Sequence, residues 1–236
     1  MKKILFLMVV LLHSTTSIAQ ETSFFSTTDS FLNKHVHGKK VNYEAVKKDN
    51  KTLKDLMLQI ASFKLSNDSK VNKAFFINAY NIVMINAIVE KYPINSPMDI
   101  AGVFDKTKYT VAGTKLTLND IENKMIREKY KDARIHFVLV CGANGCPPIT
   151  NFAYTAENLE HQLEQQTKLA INNPDFIKVN VKSKKVEISQ IFEWYKEDFI
   201  STKSSYIDFL NKYKSEPIPA NFKVTFYNYD WSLNKH

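Results

Sequence analysis

The chain has 236 residues, with 32 Lys and Arg against 24 Asp and Glu and a formal net charge of +8. The lysines are scattered and only Arg127 and Arg134 are arginines. That argues against nucleic acid as a partner, where basic residues cluster within a recognisable module. Beyond the N-terminus no stretch is long and apolar enough to span a bilayer, so no transmembrane segment is expected.

Residues 1–19 read as a secretory signal peptide. Lys2 and Lys3 precede an apolar core from Ile4 to Leu12, and Ser17-Ile-Ala19 has the small residues of a cleavage site. No cysteine follows that site to take a lipid anchor. Without Lys2 and Lys3, 30 basic residues face 24 acidic ones, a net charge of +6 over 217 residues. Export places the mature chain in the periplasm or outside the cell. Its length suits a single domain with a sizeable core.

The mature chain alternates short helical and extended patterns. Phe24, Phe25, Phe31, Leu32 and Val36 have near-helical spacing. His35, His37 and Gly38 then form a lysine-rich turn without a carboxylate partner, read as solvated. Val41-Asn-Tyr43 reads as extended. Leu53, Leu56, Met57, Ile60 and Phe63 repeat at i, i+3, i+4, i+7 and predict a helix over 50–63. The helix over 70–91 is apolar on nearly every face and is read as central. Asn78 and Asn81 lie on one face of it, three apart. Burying such an amide unpaired costs about 1–3 kcal/mol. The two either hold neighbouring loop backbone or contact a substrate.

Residues 109–118 predict a hairpin turning at Ala112-Gly113-Thr114. Thr117 to Asp120 has the form of a capping box, with Ile121, Met125 and Ile126 facing inward from the helix that follows. Glu122 sits in its first turn, where the helix dipole favours a carboxylate. Thr155 is expected to cap a helix over 156–172 with Leu159, Leu163 and Leu169 inward. A second hairpin spans 176–181 and 186–188. Helices over 191–200 and 205–213 and a strand over 222–226 complete the chain. The expected fold class is α+β, several helices packed around a small, mainly antiparallel sheet in a single domain.

Chemistry concentrates in Arg134-Ile-His-Phe-Val-Leu-Val-Cys-Gly-Ala-Asn-Gly-Cys-Pro-Pro148. Ile135 to Val140 is an apolar run broken only by His136 and reads as a buried strand. It delivers a loop holding both cysteines of the chain and two of its five glycines.

By these segments the chain resembles the domain-of-unknown-function 547 family. The resemblance runs through Val41-Asn-Tyr43, Ala74-Phe-Phe-Ile-Asn-Ala-Tyr-Asn81, Leu118-Asn-Asp-Ile-Glu122, the stretch from Arg134 to Pro148, Ala153-Tyr-Thr155, Ile191-Phe-Glu-Trp-Tyr195 with Asp198-Phe199, and Tyr229-Asp-Trp-Ser-Leu-Asn234. It covers most of the mature chain. The family is not defined by an activity. Its members often carry histidine after the Ile-Glu pair, where this chain has Asn123.

Two readings of the cysteine loop stand side by side. In the first, the protein is a cysteine-dependent hydrolase or acyl transferase, with Cys141 as nucleophile and His136 as base. Glu122, Asn81 and Asp230 are available to orient the base, and the backbone at Gly142 lies where an oxyanion would form. Five residues along a regular strand would put His136 and Cys141 on opposite faces, so their pairing requires the chain to turn. In the second, Cys141 and Cys146 form a disulfide that pins the loop of a non-catalytic binding or scaffold module. A metal held by His136, Cys141 and Cys146 would lack a fourth ligand and matches no standard zinc spacing, so neither metal nor cofactor is expected. Asn78, Asn81, Gly142 and Asp230 are the candidate substrate contacts. Asp230 stands out because a carboxylate between two large aromatics calls for a partner. The expected ligand is a peptide, a glycan or a small molecule.

Overall fold

A computed structural model describes residues 20–236; the signal-peptide reading lies outside them. The α+β assignment holds. Among the described residues the strands form three small sheets, two of them two-stranded hairpins.

Helix α1 covers 20–35 and leads into the hairpin of β1 (Val36–His37) and β2 (Lys40–Val41), which turns at Gly38 with φ +64°. His35 is buried against the Phe31 ring rather than solvated, and His37 is exposed. The extended reading of Val41 to Tyr43 ends one residue early. Asn42 caps a helix, α2 (Tyr43–Lys48), by accepting the Ala45 N–H at 3.0 Å.

Helix α3 (Lys51–Ser62) places Leu53, Leu56 and Ile60 against α4 (Ser69–Lys91). Asp68 caps α4, and every residue from Val71 to Val89 is buried. A helix apolar on all sides needs cover on all sides, and the rest of the chain supplies it. Phe63 stacks on Phe75 of α4 with centroids 3.9 Å apart. The hairpin of β3 (Tyr109–Val111) and β4 (Thr114–Leu116) turns at Ala112 and Gly113. Their N–H groups donate to the carbonyls of Ile60 and Ala61 and so close the end of α3.

Helix α5 covers 118–130. It starts at the expected capping box of Thr117 and Asp120, then widens into π-helical turns at Ile121–Arg127. After it, Ile135 to Val140 is not a strand. Ala133–Phe137 is a 3-10 turn, and Val138 to Val140 runs on without joining any sheet. Helix α6 (Leu159–Asn172) begins later than expected, and Leu169 is 56% exposed rather than inward.

Strands β5 (Ile177–Asn180) and β6 (Lys185–Ser189) pair antiparallel, and β7 (Lys223–Tyr227) joins β6 in parallel. Between them α7 (Ile191–Trp194) and α8 (Lys196–Phe199) break at Tyr195, where a single helix was expected. Helix α9 (Tyr206–Asn211) is capped by Ser205. The C-terminal tail laces distant parts together. Asn234 N–H donates to the Gly142 carbonyl, Val41 N–H donates to the Asn234 carbonyl, and Tyr43 Oη donates to Asn234 Oδ1 at 2.6 Å. Among the described residues no helix is long and apolar enough to cross a membrane.

Candidate functional site

The site is built outward from the asparagine face of α4. Asn81 Nδ2 donates to the Val138 carbonyl and its Oδ1 accepts the Val140 N–H, both at 2.9 Å. Asn78 treats Tyr154 the same way, donating to its carbonyl at 2.7 Å and accepting its N–H at 3.0 Å. Both amides are buried and bound to loop backbone. The segment before Cys141 therefore has a side chain where a strand would have a neighbouring strand.

Cys141 opens a tight loop. Gly142 has φ +79°, and a Cβ there would overlap Ile88 of α4. A Cβ on Gly145 would lie 2.9 Å from the Tyr229 ring and from Asp230 N. The loop is pinned to the tail by Asn144 N–H on the Ser232 carbonyl and Gly145 N–H on the Asp230 carbonyl, both 2.8 Å.

This fold-back brings the two sulfurs together. Cys141 and Cys146 are free thiols with Sγ atoms 2.8 Å apart, longer than the roughly 2.05 Å of a disulfide bond. The disulfide reading is therefore not what the structure contains. Cys146 Sγ accepts the Cys141 N–H at 3.1 Å, and Tyr229 Oη lies 2.9 Å from Cys146 Sγ and 3.0 Å from Cys141 Sγ. The Cys141–Cys146 contact and burial push the Cys141 thiol well up. Burial also opposes ionisation of Cys146, but hydrogen bonds from Cys141, Tyr229 and the backbone outweigh it and lower that thiol. The first proton lost leaves the charge on Cys146.

Both cysteines open into a cavity of about 310 Å³ that His136, Glu122 and Tyr195 also line. The 3-10 turn at Ala133–Phe137 is what bends the chain enough to bring His136 and Cys141 to the same space. His136 is buried, and its Nε2 lies 2.6 Å from Asp198 Oδ2. With Nε2–H donating to the carboxylate, Nδ1 is the nitrogen left to exchange a proton. Arg127 Nε donates to the same Asp198 oxygen at 2.7 Å, while its Cζ lies 4.7 Å from the Tyr195 ring. His136 stacks on Tyr195 with centroids 4.1 Å apart. Partial burial works against the Asp198 charge, yet His136 and Arg127 hold its carboxyl far below the usual carboxylate range.

Glu122 is buried in the first π-helical turn of α5 and lines the cavity beside Tyr195. Burial, and next the Glu122 charge, push that hydroxyl up. Wide turns of this kind are common at functional sites. Here the turn aims Glu122 at the cavity, while Asn123, the position after the Ile-Glu pair, holds Arg127 instead.

The cavity's mouth is aromatic. Trp194 and Trp231 lie 6.0 Å apart at 26°, and Tyr229 is 5.1 Å from Trp194 and 4.7 Å from Trp231. Asp230, between two of these rings, is exposed; its Oδ1 accepts the Ser232 N–H at 2.9 Å. In an extended segment successive side chains point opposite ways, so Tyr229 and Trp231 face inward and Asp230 outward. Cys141, His136 and Glu122 are thus brought together at the cavity. Gly142 shapes the loop beside it, and Asn78 and Asn81 support it from behind. The group that orients His136 is the Asp198 carboxylate, not Glu122, Asn81 or Asp230. The available signal for Asp198 was a lone aspartate in an aromatic-rich segment with no cap to make. Among the described residues no cluster of three or more His, Cys, Asp or Glu side chains could hold a metal ion.

Residues 64–169 match the family model described as protein of unknown function, DUF547. This stretch belongs to the DUF547 family. The match is shorter than the resemblance along the mature chain. The DUF547 segment supplies both cysteines, His136, Glu122 and the two asparagines. Asp198, Tyr195, Tyr229 and both tryptophans lie beyond it and complete the cavity. No curated protein and no solved structure matches the chain.

Proposed function

We propose that the cavity is the active site of a thiol-dependent hydrolase or acyl transferase. One observation carries this reading: two hydrogen-bonded thiols and a carboxylate-held imidazole open into the same cavity. Cys141, the more exposed of the two residues, attacks the acyl carbon and passes its proton to the Cys146 thiolate. The leaving group departs with a proton from His136, and a thioester remains on Cys141. Water or another acceptor then attacks the thioester and gives its proton to His136. The carbon–sulfur bond breaks, and Cys141 recovers its proton from Cys146. Asp198 fixes the imidazole, and Arg127 fixes Asp198.

Export is part of the proposal. It is supported by the positive start, apolar core and small-residue site of residues 1–19. The 2.8 Å between the sulfurs also favours a second reading, a binding module whose loop closes by a disulfide after export.

Alkylation of purified protein, never exposed to reductant, separates the two. The cysteines are labelled across a range of pH and located by mass spectrometry. Rapid labelling of one cysteine well below the pH at which a free thiol ionises, moved to higher pH in Tyr229→Phe, supports the enzyme. A pair that labels only after reduction removes the nucleophile and supports the binding module. Turnover of a panel of aryl esters and thioesters, abolished in Cys141→Ser, is the direct test.

A further inference from the structure

The cavity runs against the charge of the chain that forms it. The chain has 32 Lys and Arg, yet among the described residues none lines this cavity, and a carboxyl, Glu122, does. Arg127 lies close by, but its Nε is bound to Asp198, which offsets its charge. The mouth is built from the rings of Trp194, Trp231 and Tyr229. Trp194 is 47% exposed, an uncommon state for so large an apolar side chain unless something covers it. Aromatic faces carry the negative side of a quadrupole and attract cations. A buried carboxyl behind such faces, with no lysine or arginine to oppose it, selects by sign. Carboxylates and phosphates find no lysine or arginine here, and the His136 ring is already engaged by Asp198, whereas an ammonium finds both a ring face and a carboxyl.

We propose that the cavity takes a ligand bearing an alkylammonium group, seated against the Trp194–Trp231 ledge with its charge toward Glu122. The proposal rests on reading the cavity as the substrate site and names the class of substrate. In an acyl transfer the amine is the acceptor. It loses one proton to solvent before attack and a second to His136 as the carbon–nitrogen bond forms and the carbon–sulfur bond breaks. The products are an amide and the Cys141 thiol, which takes its proton back from Cys146.

The only two tryptophans of the chain are Trp194 and Trp231, so tryptophan fluorescence reports on this mouth directly. Purified, reduced protein is titrated with n-butylammonium, n-butanol and butyrate at matched ionic strength, with no acyl donor present. Butylammonium is expected to bind saturably and roughly tenfold tighter than butanol, with butyrate weakest. Glu122→Gln, folded by circular dichroism, should bring butylammonium to the level of butanol. Equal or tighter binding of butanol or butyrate overturns the proposal. So does a failure of butylammonium to saturate in the millimolar range, or a preference for it that survives Glu122→Gln. The titration needs no turnover, so the thiol chemistry can fail while this result stands, and the reverse.

Discussion

Asn81 takes the place of a β-strand neighbour for Val140: its Oδ1 accepts the Val140 N–H while its Nδ2 donates to the Val138 carbonyl two residues earlier. The segment that delivers Cys141 hangs on this one side chain. Asn81→Leu leaves a buried N–H and a buried carbonyl without partners. Each orphaned group costs about 1–3 kcal/mol, so stability should fall by roughly 2–5 kcal/mol in urea unfolding. Asn81→Asp keeps the acceptor and has a donor only when protonated, so it should be less damaging than Leu only where the new carboxyl stays protonated.

Gly142 is the second hold on that segment. Its φ of +79° costs any other residue backbone strain, and a Cβ would overlap Ile88 in the packed middle of α4. Gly142→Ala should destabilise the chain by about 2–4 kcal/mol. Gly38→Ala is the control. It also has positive φ, but its Cβ would meet nothing within 4 Å. It should cost about 1 kcal/mol. The difference between the two midpoints measures the contact with α4.

How much of this was legible in the sequence follows from what each signal reports. The periodicity of α3 and α4 reports burial, and burial placed them correctly. The apolar run from Ile135 to Val140 reported burial too, but a run of six cannot tell a strand from any other buried backbone. What decided it was a side-chain partner, Asn81, 57 residues away. The cysteine loop and His136 were visible as chemistry. Asp198 was not singled out, because its partners, Arg127 and His136, are 71 and 62 residues distant. Asp230 was singled out for standing between Tyr229 and Trp231, yet the alternation that turns those rings inward turns Asp230 to solvent.

Asp132 makes the acid limit of stability predictable. It is half-buried, which alone would raise its carboxyl. Hydrogen bonds from Arg134 and Lys73 overcome this and bring it to about 2, from an ordinary 3.8. A lowered folded value means the stabilisation is complete above pH 4 and is lost as pH falls toward 2. That shift is worth about 2 kcal/mol. Urea midpoints at pH 6 should exceed those at pH 2, and Asp132→Asn should flatten the part of that slope between pH 4 and pH 2. A variant with the full wild-type slope would show that other carboxylates set the limit.

Tyr229 ties both sulfurs to one hydroxyl. Its hydrogen bond helps lower the Cys146 thiol against burial. Tyr229→Phe removes the donor and keeps the ring between Trp194 and Trp231. The first thiol ionisation, read by ultraviolet thiolate absorbance against pH, should move upward, with the unfolding midpoint changed by less than about 1.5 kcal/mol. An unmoved titration would place the stabilisation of the thiolate in the backbone N–H groups instead.

Asp198 binds His136 and Arg127 through the same oxygen, so its replacement separates orientation from charge. Asp198→Asn keeps the size of the side chain but can present its nitrogen to a ring that is already donating. The imidazole is then driven to the other tautomer or out of place. With the acyl reaction of the proposed site as readout, kcat should fall by roughly 10²–10⁴. KM should change little, since Asp198 does not line the cavity. Arg127→Lys keeps a cation beside Asp198 and should retain most of the rate. A raised KM with kcat unchanged would instead assign Asp198 to packing around Tyr195.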